Sequence, residues 1–172
     1  MFFGIFLVTM LYLGIFTVYH LAAILIGGLL CSFLCKHYRV PVASWVMEHF
    51  EREHNRKTFP GKGPILFMIG SIFVVYFFPL KIALAAIMML SVGDAASHIF
   101  GKILSRKTYK YLKSIEGTAI GIASGFAVAL LFVDVNLAFF GSLIAMGFEG
   151  MNLGWDDNLW IPIIAASMMS VL

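Results

Sequence analysis

Residues 93–117 read GDAASHIFGKILSRKTYKYLKSIEG, and the rest of the chain is organised around this stretch. It begins inside an apolar segment, leaves that segment through a basic loop, and enters the next apolar segment at Glu116. Asp94 lies in a segment that otherwise has the composition of a membrane span, where an ionisable side chain is costly and usually functional. We therefore expect Asp94 to belong to a site at one end of two helices, close to the lysines that follow it.

The composition of the chain predicts an integral membrane protein. Of its 172 residues, 61% are hydrophobic and only 12% are charged, which is more apolar surface than a soluble domain needs. The apolar segments predict about seven membrane-spanning helices, of which the first and the last are short for a bilayer. The predicted fold is an all-α, polytopic transmembrane helical bundle that forms a single domain over residues 1–172. The predicted spans are residues 1–17, 21–35, 65–78, 82–104, 117–133, 137–150 and 159–172.

The segment between the second and third spans is more polar. Residues 40–55 combine Trp45 and Phe50 with several acids, which predicts one short interfacial helix lying on the membrane, although a solvated charged helix explains the pattern nearly as well. The following loop, NRKTFPGKGP at residues 55–64, sets Arg56, Lys57 and Lys62 among glycines and prolines. It could bind phosphates, but it lacks the pattern of a P-loop, and a plain cytoplasmic turn would also be basic.

The distribution of charge predicts the orientation of the bundle. All 12 lysines and arginines lie between residues 36 and 113, and 11 of them fall in the loops after the second and fourth spans. Those loops lie on one side, which the positive-inside rule makes cytoplasmic; Lys81 is the exception. With this arrangement the loop after the sixth span lies on the same side, so Glu149, Asp156 and Asp157 join Glu116 there. Basic residues confined to membrane loops argue against a nucleic-acid-binding protein.

Several side chains at this end have the chemistry of a metal site. Asp94 and His98 lie one helical turn apart and could act on one ligand, although a hydrogen-bonded histidine inside the bundle is an equal alternative. Glu116 opens a helix, where the macrodipole favours an anion and where a simple cap is also common. Asp156 and Asp157 stand in tandem before Asn158, which suits oxygen ligands for magnesium.

Acids that bind a metal, lysines that bind phosphates and a membrane surface are the components of phosphoryl transfer to a lipid. The stretch GDAASHIFGK followed by KSIEG resembles the CTP-dependent lipid-alcohol kinases, a family that includes dolichol kinase, phytol kinase and the CTP-using diacylglycerol kinases. This family is distantly related to the phosphatidate cytidylyltransferases. RKTFPGKGP before the third span and DDNLWIP at the start of the last span also resemble the family.

The resemblance implies a polytopic helical enzyme that uses CTP as co-substrate and Mg²⁺ or another divalent cation as cofactor. It implies roles for Asp94, Lys102, Lys113 and Glu116, and for Asp157 with Asn158. The sequence departs from the family pattern in two respects. The basic–histidine motif that often precedes the first span is absent, which leads us to expect a true start upstream. The Ser-Pro and Lys-Thr pairs of the cytidylyltransferases are also absent, which favours a kinase.

The residues and the resemblance together predict a set of roles. The predicted catalytic residues are Asp94, Glu116 and His98. The predicted metal ligands are Asp94, Glu116, Asp157, Asp156 and Glu149. The predicted nucleotide-binding residues are Lys102, Lys113, Lys62, Arg56 and Lys57. The predicted supporting residues are Asn158, Gly93, Gly101 and Gly117.

The expected function is CTP-dependent phosphorylation of a membrane lipid alcohol of the dolichol or polyprenol type, at a cytoplasmic-facing site. The expected location is the cell membrane in a prokaryote or the endoplasmic reticulum in a eukaryote, and the expected partners are CTP, the lipid alcohol and membrane lipids, with an oligomer left open. One alternative is a cytidylyltransferase that transfers CMP to a phospholipid. A second is a non-catalytic bundle or transporter, for which Gly117, Gly121 and Gly125 would form a packing face.

Overall fold

In the computed structural model, apolar helices follow one another along the chain and are joined by short turns. The structure describes residues 1–37, 59, 61–104, 114–151 and 154–172, and these described residues contain no β-strand. The helices are α1 (Phe2–Tyr12), α2 (Val18–His37), α3 (Lys62–Phe77), α4 (Leu80–Leu104), α5 (Ile115–Ala129), α6 (Val135–Gly150) and α7 (Asp157–Val171). The all-α fold class is therefore confirmed. The predicted interfacial helix at residues 40–55 lies outside the described residues.

A helix lies at each predicted span, with bounds that differ from the prediction by a few residues. The largest difference is in α1, which ends at Tyr12 instead of reaching residue 17. Gly14 follows with a φ of 69°, a left-handed conformation that glycine adopts without a steric penalty and that ends a helix.

Two of the described helices are long and apolar enough to cross a membrane, namely Val18–Cys35 of α2 and Leu80–Leu104, which is α4. The two differ in their surroundings, because 61% of the α4 span is buried inside the protein but only 11% of the α2 span. Large apolar side chains of α2, including Tyr19, Ile26 and Leu30, are exposed. An apolar surface of this kind indicates association with a membrane. That about seven helices cross it stays a prediction.

Helix α4 forms the centre of the bundle. Its residues 83–90 are all buried, as expected for a helix that is apolar on every side. Helices α1, α3, α5, α6 and α7 all pack against parts of it. Polar residues of α4 that follow this buried run are therefore surrounded by other helices.

The middle of α4 is a π-helix over Met89–Asp94, between α-helical parts at Leu80–Met88 and Ala95–Leu104. A π turn accommodates one more residue than an α turn, and such segments occur often at functional sites. Here the segment ends at Asp94. The extra residue changes the direction in which Asp94 and His98 point relative to the buried first half of the helix.

Helices α4 and α5 approach closely through glycines. A Cβ atom on Gly117 would lie 2.7 Å from the carbonyl oxygen of Ser97 and 3.0 Å from the Cα of Gly101, and one on Gly121 would lie 3.3 Å from the carbonyl oxygen of Gly93. Any larger residue would meet backbone atoms there, so these glycines determine the separation of the two helices. Gly93, Gly101 and Gly117 are thus packing residues of the segment that carries Asp94 and His98.

Candidate metal centre

Three helices bring four metal-ligating side chains together at one end of the bundle. Asp94 and His98 come from α4, Glu149 from the last turn of α6, and Asp157 from the first turn of α7. One potential ligand atom from each of these residues lies within 4.8 Å of the ligand atoms of the other three. We call these residues the Asp94 cluster. Asp157 lies 63 residues beyond Asp94 in the sequence (157 − 94), so the cluster depends on tertiary packing.

Asp94 is the one acidic residue of α4 and has an unusual environment. Its Oδ1 atom is buried and accepts no hydrogen bond from the residues that the structure describes. The Nε2 atom of His98 lies 3.2 Å from this oxygen, which is an ion-pair distance, although the pair does not have hydrogen-bond geometry. A buried acceptor without a hydrogen bond costs about 1–3 kcal/mol. This oxygen is therefore a candidate for binding a ligand.

Glu149 is the most buried charged residue among the described ones, with an exposed fraction of 0%. Its Oε2 atom accepts a hydrogen bond of 2.9 Å from the hydroxyl of Ser97, which lies on α4 between Asp94 and His98. A buried carboxylate is unfavourable unless it is hydrogen-bonded or bound to a cation. Ser97 thus orients the Glu149 carboxylate next to the other ligands.

The start of α7 contributes Asp157 and its neighbours. Asp156 occupies the N-cap position of α7 and pairs with Lys62 of α3 at 3.2 Å. Pro162 has no N–H group and cannot donate to the carbonyl of Asn158 four residues earlier, and that carbonyl lies close to Gly70 of α3. The first turn of α7 therefore packs closely against α3, and a carboxylate oxygen of Asp157 lies near the ligand atoms of Asp94, His98 and Glu149.

The donor set of the Asp94 cluster fits a divalent cation. Around an octahedral Mg²⁺ with ligands at about 2.0–2.1 Å, neighbouring oxygens lie about 3 Å apart and opposite ones about 4 Å apart. The ligand atoms of the cluster, all within 4.8 Å of one another, require only a small contraction to reach this geometry. Carboxylates at this separation repel one another, and a cation between them would remove the repulsion. Asp94, Glu149 and Asp157 are the carboxylates that would bind it.

Glu116 lies outside the Asp94 cluster. It belongs to the first turn of α5, where the hydroxyl of Ser114 donates to its Oε2 at 3.2 Å. The same hydroxyl accepts a hydrogen bond of 3.0 Å from the backbone N–H of Gly117, so Ser114 caps the helix. This arrangement resembles the capping alternative considered for Glu116, because an acid in the first turn also stabilises a helix through its dipole. A catalytic or metal-binding role for Glu116 stays a prediction.

The predicted phosphate-binding cations are only partly described. Lys62 begins α3 beside the Asp94 cluster and pairs with Asp156. Lys102 is exposed in the last turn of α4. Arg56, Lys57 and Lys113 lie outside the described residues. Lys62 thus pairs with the residue before Asp157, and Lys102 lies one turn after His98 in α4. Phosphate binding by the five cations stays a prediction.

Ser97 was not predicted from the sequence to be part of the site. A single serine within an apolar helix is common, and its hydroxyl usually bonds to a carbonyl of its own helix. Ser91 follows that rule, since it donates to the carbonyl of Ile87 at 2.8 Å. Ser97 differs because its hydroxyl donates to Glu149 on α6. This hydrogen bond requires close packing of α4, α5 and α6. Its position between Asp94 and His98 was the one signal available.

The fold and the cluster together define a class, a helical protein with candidate membrane spans and a carboxylate–histidine cluster at one end of its bundle. The chain is similar to an uncharacterized protein of Methanocaldococcus jannaschii, with 29% identity over 146 residues, or 83% of this chain and 74% of that protein. It is also similar to CTP-dependent diacylglycerol kinase 1 of Eremothecium gossypii, with 24% identity over 139 residues, or 64% of this chain. No protein-family model and no solved structure matches the chain.

The aligned part of the diacylglycerol kinase is 44% of its length, so this chain matches less than half of that protein. The match is distant and partial. It is compatible with a lipid kinase as the class of protein.

Proposed function

We propose that this protein transfers the γ-phosphoryl group of CTP to the hydroxyl of a membrane lipid alcohol at the Asp94 cluster. The observation that carries the proposal is the convergence of Asp94, Glu149 and Asp157 at one end of an apolar helical bundle. Phosphoryl transfer requires charge neutralisation and alignment of the reactants, which a carboxylate-bound divalent cation and nearby lysines provide. The distant similarity to a CTP-dependent diacylglycerol kinase supports CTP and a lipid acceptor.

The proposed reaction assigns different tasks to the residues of the site. Asp94, Glu149 and Asp157 would bind the cation, which supplies charge neutralisation at the phosphates. Lys62, beside Asp156 at the start of α3, would bind phosphate oxygens. The lipid hydroxyl oxygen bonds to the γ-phosphorus as the bond from that phosphorus to the bridging oxygen breaks, and CDP leaves. A carboxylate has two oxygens, so one oxygen of Asp94 can bind the cation while the other accepts the hydroxyl proton.

The surroundings of the cluster suit an acceptor that arrives from a bilayer. The last turns of α4, which follow His98, expose Ile99, Phe100 and Ile103. Trp155, just before α7, is exposed and has its ring centroid 4.9 Å from that of Trp160. Tryptophans are enriched at membrane–water interfaces, because one part of the ring prefers lipid and the other water. A lipid with its hydroxyl at this depth would reach the cluster from the side of α4.

Within lipid alcohols we propose a long-chain polyisoprenoid of the dolichol or polyprenol type as the acceptor. Diacylglycerol is the competing acceptor, because the similar kinase of Eremothecium gossypii is named for it. Both present a single hydroxyl attached to long apolar chains, so a direct comparison is informative.

The test uses purified protein in lipid vesicles that contain either polyprenol or diacylglycerol, with a divalent cation present. CTP labelled at the γ-phosphate is compared with CTP labelled at the α-phosphate. We expect the γ label in polyprenyl phosphate and no α label in any lipid. Transfer of the α label to a lipid would instead identify a cytidylyltransferase. Absence of both labels from lipid, with folded protein, would favour the non-catalytic bundle.

A matched pair of variants connects the reaction to the cluster. Asp94→Asn preserves size and removes the charge, so we expect transfer to fall by at least about 100-fold, the lower range for the loss of a positioned acid or base. Asp134→Asn changes an exposed aspartate at the other end of the bundle, before α6. It should retain full activity. Normal activity of Asp94→Asn would exclude Asp94 from the mechanism.

A further inference from the structure

We infer that His98 is a metal ligand and that the Asp94 cluster prefers a first-row transition-metal cation, with Mn²⁺ as its probe, to Mg²⁺. The inference deepens the proposed function and rests on it for the location of the site. It concerns the binding of the cation itself and is therefore testable without nucleotide or lipid.

His98 lies at the distance from Asp94 that is expected of a second ligand of the same cation. Its Nε2 atom lies 3.2 Å from Oδ1 of Asp94, yet that buried oxygen accepts no hydrogen bond from the described residues. Neighbouring ligands of one octahedral ion lie about 3 Å apart and point to a common centre, not at each other. The separation of the two atoms and the absence of a hydrogen bond between them fit this relationship, and the ligand atoms of Glu149 and Asp157 lie within 4.8 Å of both.

The types of ligand atom in the cluster favour Mn²⁺ over Mg²⁺. Mg²⁺ is a hard cation that prefers oxygen ligands and usually keeps several waters. Imidazole nitrogen suits transition metals, whereas carboxylate oxygens suit Mg²⁺ and Mn²⁺ alike. The Asp94 cluster offers three carboxylates and one imidazole. Mn²⁺ accepts both types of donor, and the nitrogen gives it an advantage that Mg²⁺ does not share.

The surrounding protein groups orient the ligands of the Asp94 cluster. Asp94 ends the π-helical segment and His98 follows one turn later in the α-helical part, so both side chains reach from α4 to Glu149 and Asp157. Glu149 is held by Ser97 and has an exposed fraction of 0%. Ligands that are oriented in advance by surrounding groups bind a metal more tightly than flexible ones. The imidazole is thus part of a prearranged donor set.

The experiment measures metal binding to the purified full-length protein in detergent, without CTP or lipid. Bound Mn²⁺ is quantified from the loss of the free-ion electron paramagnetic resonance signal, and Mg²⁺ affinity from competition. Electron spin echo modulation then reports nitrogen coupled directly to the bound Mn²⁺. We expect one Mn²⁺ with a coupled histidine nitrogen, which ¹⁵N-histidine labelling replaces with the ¹⁵N coupling.

The variants decide which histidine is responsible. His98→Ala should abolish the nitrogen coupling and lower the preference for Mn²⁺ over Mg²⁺ by about tenfold or more, since even residues that only orient ligands change metal affinity by about 10–100-fold. His20→Ala is the matched control, because His20 lies in the first turn of α2, where it contacts Thr17 at 2.8 Å. It should leave the coupling and the preference unchanged.

The inference is overturned if bound Mn²⁺ in the wild-type protein shows no nitrogen coupling, or if the coupling persists in His98→Ala. It is also overturned if the protein binds no Mn²⁺. Its failure is distinct from failure of the proposed function. Transfer of the γ label without nitrogen coupling would reject the role of His98 alone. Nitrogen-coupled Mn²⁺ without transfer to any lipid would leave a metal site whose reaction is different.

Discussion

Ser97 and Glu149 illustrate at the residue scale how the site is held in place. Glu149 is fully buried at the end of α6, and the hydroxyl of Ser97 donates to it at 2.9 Å. A hydrogen bond to a buried charge contributes about 1.5–3 kcal/mol, more than one between neutral groups. Ser97 therefore stabilises the α4–α6 contact and also determines the direction of a metal-binding carboxylate.

Removal of this hydroxyl should weaken cation binding. We expect Ser97→Ala to reduce Mn²⁺ affinity by about 10–100-fold, as is typical when a group that orients a ligand is lost. Ser142→Ala is the control, because Ser142 lies on the same helix as Glu149 but donates to the carbonyl of Phe139 in its own helix. Equal affinities for the two variants in the Mn²⁺ titration would show that Ser97 has no positioning role.

The charged residues of the Asp94 cluster were singled out from the sequence, and their metal-binding role stays a prediction, whereas Ser97, which supports them, was not singled out. Asp94 was recognisable because a carboxylate is costly inside an apolar segment, and Glu149 and Asp157 because they end or begin such segments. Ser97 was not, since its role depends on a contact with α6 that no local pattern contains. His98 was predicted from the sequence as a catalytic residue or a core histidine. Its proximity to Asp157 depends in the same way on packing.

At the scale of elements, the π-helical segment of α4 determines where Asp94 and His98 point. The helix before it is buried on all sides, and the extra residue of the segment changes the register of everything after it. The α-helical periodicity of the sequence does not reveal this insertion. For this reason one continuous apolar helix was predicted over residues 82–104, without its internal change of register.

Deletion of a residue from this segment tests whether the π turn itself orients the ligands. Removal of Val92, which is only partly buried, takes out the one extra residue that the π turn accommodates, so α4 can continue as a regular α-helix. Asp94 and His98 then keep nearly their wild-type direction, because the deletion and the loss of the π turn compensate each other. We expect the helical circular dichroism signal and Mn²⁺ binding both to persist in detergent. Loss of Mn²⁺ binding from a folded variant would mean that the π geometry itself, and not only the register, positions the ligands.

The α4–α5 crossing gives a second prediction at this scale. Gly117→Ala would place a methyl group 2.7 Å from the carbonyl oxygen of Ser97, so the helices must separate, at a cost of about 1–3 kcal/mol. Gly28→Ala, in α2, introduces a methyl group with nothing within 4 Å and should not destabilise the protein. Thermal unfolding in detergent distinguishes the two. A Gly117→Ala protein as stable as the wild type would contradict the tight crossing.

At the scale of the whole molecule, the site is assembled from helix ends that are distant in sequence. Asp156 pairs with Lys62, and Gly101 approaches Gly117, so the end of α4 and the starts of α3, α5 and α7 lie together. Apolar segments separated by polar turns were sufficient to predict helices, because that pattern is local. Only the charge asymmetry of the loops allowed a prediction of which helix ends meet. The side of the membrane on which these helix ends lie stays a prediction.

The length of α4 provides a test of that orientation. Lys81 and Lys102 lie near its two ends and are both exposed, and a rise of about 1.5 Å per residue separates them by about 30 Å, which equals the hydrocarbon thickness of a typical bilayer. We therefore expect them to emerge on opposite sides, with Lys102 in the cytoplasm, on the same side as the Asp94 cluster.

Thiol labelling tests this orientation. Cys31 and Cys35 are free and are first replaced by serine. A membrane-impermeant thiol reagent added to intact cells should then label Lys81→Cys, whereas Lys102→Cys should react only after the membrane is opened. Labelling of both variants in intact cells would show that α4 does not cross the bilayer, and labelling of Lys102→Cys alone would invert the orientation and place the cluster on the outer face.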